Sequence, residues 1–245
     1  MIKDFDLLQR ANNDYTTIDL EHAEELAYRE LIDSIRYISL GDECGVMGNI
    51  ANIITYKGRF YIQEEQFDRV FIYDDTGRCL KKIDNKGRGP GEYLRIESID
   101  INTEKEELML VDGMSDKLFF YDLDGNFKSI HSIRYFQTEN TLCLRDSVFL
   151  HISAPSQNFG NEGLYGYALV LSKGNENFLK GYRYLPLQVG YKGGGQIFKG
   201  YERSCYHPIY SDTIYQILSD TTYGPIFYFK IKNSSWEKYH NSDRF

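Results

Sequence analysis

The chain reads as an all-β protein, a β-propeller of four-stranded antiparallel blades, and three observations predict it. Tyr and Phe supply 21 and 15 of the 245 residues, and their rings favour the pleated, half-buried surface of a sheet. From residue 50 onward, runs of roughly six residues alternate with Gly, Asp and Asn, which is the length of strands and the chemistry of tight turns. The runs also recur at a fixed interval of the size of a propeller blade.

Along the chain, "LEHAEELAYRELIDSIR" at 20–36 is the one stretch with helical character, with acids early and apolar residues at three and four spacing. It predicts a short helix within an N-terminal extension over 1–34. "IRYISL" at 35–40 alternates apolar and polar residues and predicts a strand that opens the propeller region, 35–245.

Next come "ANIITY", "RFYIQE", "RVFIYD" and "CLKKID", followed by "IESIDIN", "ELMLVD", "KLFFYD" and "FKSIHSI". The second quartet repeats the first without a gap. Asp68 lies over Asp116, Phe71 over Phe119, Tyr73 over Tyr121, Asp74 over Asp122 and Gly77 over Gly125, each pair 48 positions apart. The steps "DDTG" and "DLDG" have an Asp that folds back on the backbone and a Gly that accepts positive φ, so both predict hairpin tips. Later copies are blurred: "SVFLHIS" and "YALVLSKGNENFLKGY" suggest a third unit, "CYHPIYSDTIYQIL" a fourth, and "IFYFKI" one more strand. The blades are placed at about 48–90, 91–137, 138–185 and 186–235, giving four to five in all.

"KGRGPGEY" at 86–93 falls between the first two units. A phosphate-binding loop needs G-x-x-x-x-G-K-[ST] ahead of a helix, and a dinucleotide fingerprint needs G-x-G-x-x-G; neither spacing is present. The stretch predicts a blade-to-blade crossover in which Pro90 fixes one φ and the glycines allow close approach. Such loops also present recognition groups, which makes Arg88, Glu92 and Tyr93 candidate ligand-binding residues. A second glycine-rich run, "GYKGGGQIF" at 190–198, reads as a loop, with Tyr191 and Lys192 as further candidates to close over a ligand.

The formal charge of -8 argues against a protein that grips nucleic-acid phosphates or anionic lipid. No run of 18 apolar residues encodes a membrane span. The start, "MIKDFDLLQRANNDY", has neither the pattern of a signal peptide nor a lipobox. The cysteines, Cys44, Cys79, Cys143 and Cys205, have no C-x-x-C spacing, and each reads as a small buried apolar side chain. The five histidines form no H-E-x-x-H or i, i+4 pair, so neither a metal nor a cofactor is expected. There is no G-x-S-x-G elbow to single out a nucleophile.

The order "DRVFIYDDTGRCLKKIDNKGRGPGEYLRIESIDI", "DKLFFYDLDGNFKSI" and a distant "SDTIYQI" resembles the six-bladed β-propeller family of bacterial cell-envelope lipoproteins, related to NHL-repeat propellers, over about 33–231. "GRGPGEY" followed closely by "IDI" is the most specific part. Family members usually carry a lipoprotein leader and two further blades. Against that pattern this chain reads as a truncated version, placed by the resemblance in the periplasm or at the cell surface. The family has no established activity, so no catalytic residue carries over. The function expected is a non-enzymatic binding or interaction module for a glycan, a peptide or an envelope protein, with Tyr side chains stacking on the ligand. The alternative is a propeller-type hydrolase or lyase with a carboxylate, Tyr and His at the channel mouth.

Overall fold

A computed structural model of the protein describes residues 6–7, 9–11, 14–22, 30, 32–133, 138–145, 147–153, 167–174, 177–184, 195–199, 203–208, 211–219 and 222–230. Three short strands come first: β1 (Asp6–Leu7), β2 (Gln9–Arg10) and β3 (Thr16–Asp19). Four antiparallel sheets follow, arranged as a four-bladed propeller. Blade 1 is β4 (Ile50–Tyr56), β5 (Arg59–Glu64), β6 (Arg69–Asp74) and β7 (Cys79–Ile83). Blade 2 is β8 (Ser98–Asn102), β9 (Glu107–Asp112), β10 (Lys117–Asp122) and β11 (Phe127–Ser132). Blade 3 is β12 (Asn140–Arg145), β13 (Val148–Ile152), β14 (Tyr167–Lys173) and β15 (Asn177–Tyr184). Blade 4 is β16 (Gln196–Lys199), β17 (Ser204–His207), β18 (Thr213–Ile217) and β19 (Thr222–Lys230).

Within each blade the strands pair in sequence order. The 48-residue repeat is a structural repeat. Tyr73 and Tyr121 occupy the same place on the third strands, β6 and β10, and Gly77 and Gly125 have φ of 88° and 79° at the tips that lead to the fourth. Asp74 Oδ1 accepts from the amides of Thr76 and Arg78, and Asp122 Oδ1 accepts from those of Asp124 and Asn126. Both aspartates therefore satisfy turn amides that would otherwise lack partners.

Blade faces alternate with the strand period of two. Val70 and Ile72 of blade 1 meet Ile99, Ile101, Phe119 and Tyr121 of blade 2 in one buried cluster. The opposite face of blade 2, with Leu118 and Phe120, meets Cys143 and Phe149 of blade 3. Leu150 and Leu169 of blade 3 then meet Tyr206 and Tyr215 of blade 4. On the far face of blade 1 there is no neighbouring blade among the described residues. Phe71 and Tyr73 are instead covered by Cys44 and Met47 of the preceding segment. Tyr73 donates to the Gly41 carbonyl at 3.2 Å, and the Gly41 amide donates to the Gly77 carbonyl at 2.8 Å.

That covering segment corrects two expectations. Residues 35–40 are not a strand; they run irregularly along the edge of blade 1, with Ile35 and Tyr37 exposed. Alternation alone does not make a strand; residues 35–40 lie beside blade 1 without entering its hydrogen-bonded ladder. Cys44 and Cys79 are not separate thiols either, because a disulfide joins them with their Cα atoms 5.9 Å apart. Cys143 and Cys205 are buried thiols outside any disulfide, and burial pushes the Cys143 thiol up to about 12.

The N-terminal strands extend blades 3 and 4. β1 pairs in parallel with β15, while β2 and β3 pair in parallel with β19. Of the helix expected over 20–36, a 3-10 turn at Leu20–His22 is described, and residues 23–29 lie outside the described set. Among the described residues, no helix is long and apolar enough to cross a membrane.

Candidate functional site

Each blade places its first strand nearest the propeller axis. β4, β8, β12 and β16 line a single cavity of 1130 Å³. Antiparallel pairing leaves one edge of each of these strands without a strand partner, so their backbone groups must find side chains, water or a ligand.

Two of these edges are closed by side chains. Ser98 Oγ of β8 accepts from the Thr141 amide of β12 at 3.3 Å, and Asp100 Oδ2 accepts from the Cys143 amide at 2.7 Å. Lys199, reaching over from β16, donates to the carbonyls of Ile101 (2.9 Å) and Cys143 (2.8 Å) and lies 3.4 Å from Asp100 Oδ2. Burial raises the Asp100 carboxyl above the usual range even though the Lys199 ammonium and the Cys143 amide pull the other way. Asp100 and Lys199 form the polar knot of the cavity wall.

Charge at the wall is uneven. Glu97 and Glu139 join Asp100, against Lys57 and Lys199. Lys57 is ion-paired with Glu106 of blade 2. Burial raises the Glu97 carboxyl, and Asp112, Asp68 and Glu139 add to the rise against the opposing pull of Arg95, whose Nε lies 3.3 Å away. Among the described residues, then, the cavity is slightly acidic. Tyr56 and Phe198 give it two aromatic rings.

The crossover 86–93 has a different place. Tyr93 is fully buried between blades 1 and 2, its ring edge-on to Phe119 at 5.9 Å. Its hydroxyl donates to the Asp68 carbonyl at 2.8 Å and accepts from the Asn85 amide at 3.1 Å, and burial raises its pKa. Glu92 folds back on its own loop, where its carboxylate accepts from the Gly89 amide at 2.7 Å, while Gly91 takes a φ of 81°. Arg88 is exposed on the loop. None of the three lines the axial cavity. Lys86, beside them, is ion-paired with Asp68, whose other oxygen accepts from the Ile96 amide at 3.2 Å. Tyr191 and Lys192 lie outside the described residues.

The cavity residues escaped sequence reasoning because they come from four strands far apart in the chain. One signal was available: Asp100 sits between Ile99 and Ile101 in the strand-like run "SIDIN", and a carboxylate in a buried strand needs partners. The described histidines are elsewhere. His151 is fully buried between Thr141 Oγ1 (2.8 Å) and Ser172 Oγ (2.7 Å), and burial depresses its pKa to about 3. Among the described residues, no three His, Cys, Asp or Glu side chains converge to hold a metal ion.

Comparisons agree with the geometry. A solved structure of a Bacteroides fragilis protein proposed to be exported superposes with a TM-score of 0.75 at 20% identity, covering 89% of this chain and 61% of that one. A member of the DUF4221 family from Bacteroides vulgatus superposes with a TM-score of 0.50 at 11% identity, covering 78% and 60%. The chain thus spans about three-fifths of the length of these two structures. At such identities the likeness is one of fold. No curated protein matches the sequence. The model of the domain of unknown function DUF4934 matches residues 15–244, and the chain is a member of that family.

Proposed function

We propose that the protein is a non-enzymatic binding module of the bacterial cell envelope and that its ligand, a glycan or a peptide, enters the axial cavity. The observation that carries this reading is the cavity itself: 1130 Å³ of space walled by the first strands of all four blades, a volume suited to a ligand of several sugar rings or residues. Polar groups such as Asn52, Thr55, Asn140 and Gln196 alternate with apolar ones along the wall, the mixture that orients a ligand.

Placement in the envelope rests on three supports. The Cys44–Cys79 disulfide suits an oxidising compartment. The Bacteroides fragilis structure is of a protein proposed to be exported. The sequence resembles propellers of envelope lipoproteins. The hydrolase or lyase reading finds carboxylates and Tyr56 in the cavity wall, but the described histidines, His151 among them, lie outside it.

Glycan and peptide arrays probed with the full chain test the proposal. Binding to one class is expected, with loss of at least tenfold in an Ile53→Trp variant that fills the cavity while keeping the melting temperature. Hits that bind this variant as tightly as the native chain would overturn it.

A further inference from the structure

The charged side chains of the cavity wall already have partners. Asp100 and Lys199 face one another, and Lys199 also donates to the Ile101 and Cys143 carbonyls. Glu97 lies against Arg95, Lys57 is ion-paired with Glu106, and Glu139 is likewise engaged. A charged ligand would therefore enter without a waiting counter-charge among the described residues, and it would lose its hydration for little return.

What the wall leaves open is neutral. Asn52, Thr55, Thr103 and Gln196 line the cavity and are exposed. Asn140 Oδ1 is buried in the wall with no hydrogen-bond partner. An acceptor left in that position is satisfied when a ligand brings a hydroxyl, directly or through a water.

β16 sets an amide beside an aromatic ring. Ile197 packs with Leu142 and Leu150 of blade 3, so Gln196 and Phe198 share the opposite face of the strand, roughly 7 Å apart along it. Phe198 is 43% exposed. Tyr56, the second aromatic ring of the wall, is half-buried; its hydroxyl donates to the Thr103 carbonyl at 3.4 Å, and Lys57 Nζ lies 5.6 Å from its ring centre. Phe198 is the ring with an open face. Gln196 and Asn140 are the first residues of the first strands of blades 4 and 3, so the amide and the orphaned carbonyl lie at the same end of the cavity.

We propose that the cavity binds an uncharged oligosaccharide, one sugar ring laying its C–H face on Phe198 while its hydroxyls bond to the Gln196 and Asn140 amides. This deepens the cavity-binding reading above and rests on it. A neutral sugar ring combines an apolar face with a rim of hydroxyls, and each hydroxyl both donates and accepts, which matches amide side chains on both of their atoms. A peptide strand is a poorer match. The register of β4 with β5 shifts between Ile50 and Asn52, an irregularity of the kind that blunts an edge against strand addition.

The test probes the full chain with a glycan array that includes pairs differing in charge alone: N-acetylated and deacetylated chitohexaose, and methyl-esterified and free hexagalacturonate. Hits are titrated by calorimetry. The proposal expects the hits to be uncharged, with any charged counterpart binding at least tenfold more weakly, and with an affinity that scarcely changes when salt is raised. It also expects Phe198→Leu, which keeps the apolar bulk and removes the ring, to weaken binding about tenfold. Asn140→Ala should weaken it severalfold without lowering the melting temperature, because the carbonyl it removes has no partner in the protein. A charged oligosaccharide that binds tighter than its uncharged counterpart, or hits that bind the Phe198→Leu variant as tightly as the native chain, overturn the inference. Peptides that bind where no oligosaccharide does, and are lost on Ile53→Trp, overturn it and leave the cavity reading standing. Failure of every oligosaccharide and every peptide overturns both.

Discussion

Lys199 Nζ lies 3.4 Å from Asp100 Oδ2 while donating to the carbonyls of Ile101 and Cys143, so one side chain of blade 4 ties together the first strands of blades 2 and 3. Asp100 is almost wholly buried. Removing the lysine strands a carboxylate in a site that already disfavours its charge. Lys199→Met should cost about 2–3 kcal/mol at neutral pH in urea unfolding, somewhat below the usual penalty for breaking a buried pair because the lysine is partly solvated. The sign with pH follows from the raised Asp100 pKa: the stability cost of ionising it appears as pH rises through that value. The variant's deficit should therefore shrink on acidification, and Asp100→Asn in the same background should recover part of it.

Gly77 and Gly125 hold equivalent hairpin tips but meet different surroundings. A Cβ on Gly77 would run into the Ser39 carbonyl of the covering segment, whereas one on Gly125 would lie 2.8 Å from Lys81 Cγ and 2.9 Å from Ile72 Cδ1, side-chain atoms rather than backbone. Both substitutions also incur the penalty of positive φ. Alanine should cost about 1 kcal/mol at Gly125 and about 2 kcal/mol or more at Gly77. Equal melting temperatures for the two variants would contradict the role given to residues 38–47.

These two glycines also show what was legible in the sequence. The Asp and Gly of each tip are required by local backbone geometry, so they recur wherever the hairpin does, and the first two blades could be read from them. Blade 3 substitutes "SKGN", whose Gly174 still takes a φ of 64°, and the signal fades with the change of residue types. The strands β1, β2 and β3 are two to four residues long and pair at outer sheet edges, too short for a period of two to stand out. The Cys44–Cys79 bond depends on a chain return that spacing does not encode. Tyr93, a candidate for its glycine-rich setting, is held by Asp68 and Asn85 inside the blade interface.

The disulfide pins the covering segment across the face of blade 1. Cys44→Ser together with Cys79→Ser should lower stability by about 2–4 kcal/mol, the usual effect of a link closing a loop of this length. Alkylation of the native chain should leave Cys143 and Cys205 unmodified until denaturant is added, since both thiols are buried. Rapid labelling of two thiols, at Cys44 and Cys79, in the folded protein would show that the link is absent.

His151 predicts an acid limb. Its folded pKa of about 3 lies well below the ordinary histidine value near 6.5, so in the acid range the unfolded chain binds the proton and the folded chain does not. Stability from this group is present above about pH 6.5 and is lost as pH falls towards 3, with a slope approaching about 1.4 kcal/mol per unit. His151→Gln, which can still bond to Thr141 and Ser172, should flatten that limb. Unfolding curves with the same slope in both proteins would reject the assignment.

Hydrogen–deuterium exchange on the full chain, with and without an array-selected ligand, tests the axial binding site most directly. The account predicts slowed exchange in β4 and β16, Ile50–Tyr56 and Gln196–Lys199, with the hairpin tips at Asp74–Gly77 and Asp122–Gly125 unchanged. Protection confined to those tips or to the 86–93 crossover, with β4 exchanging as fast as before, would contradict it.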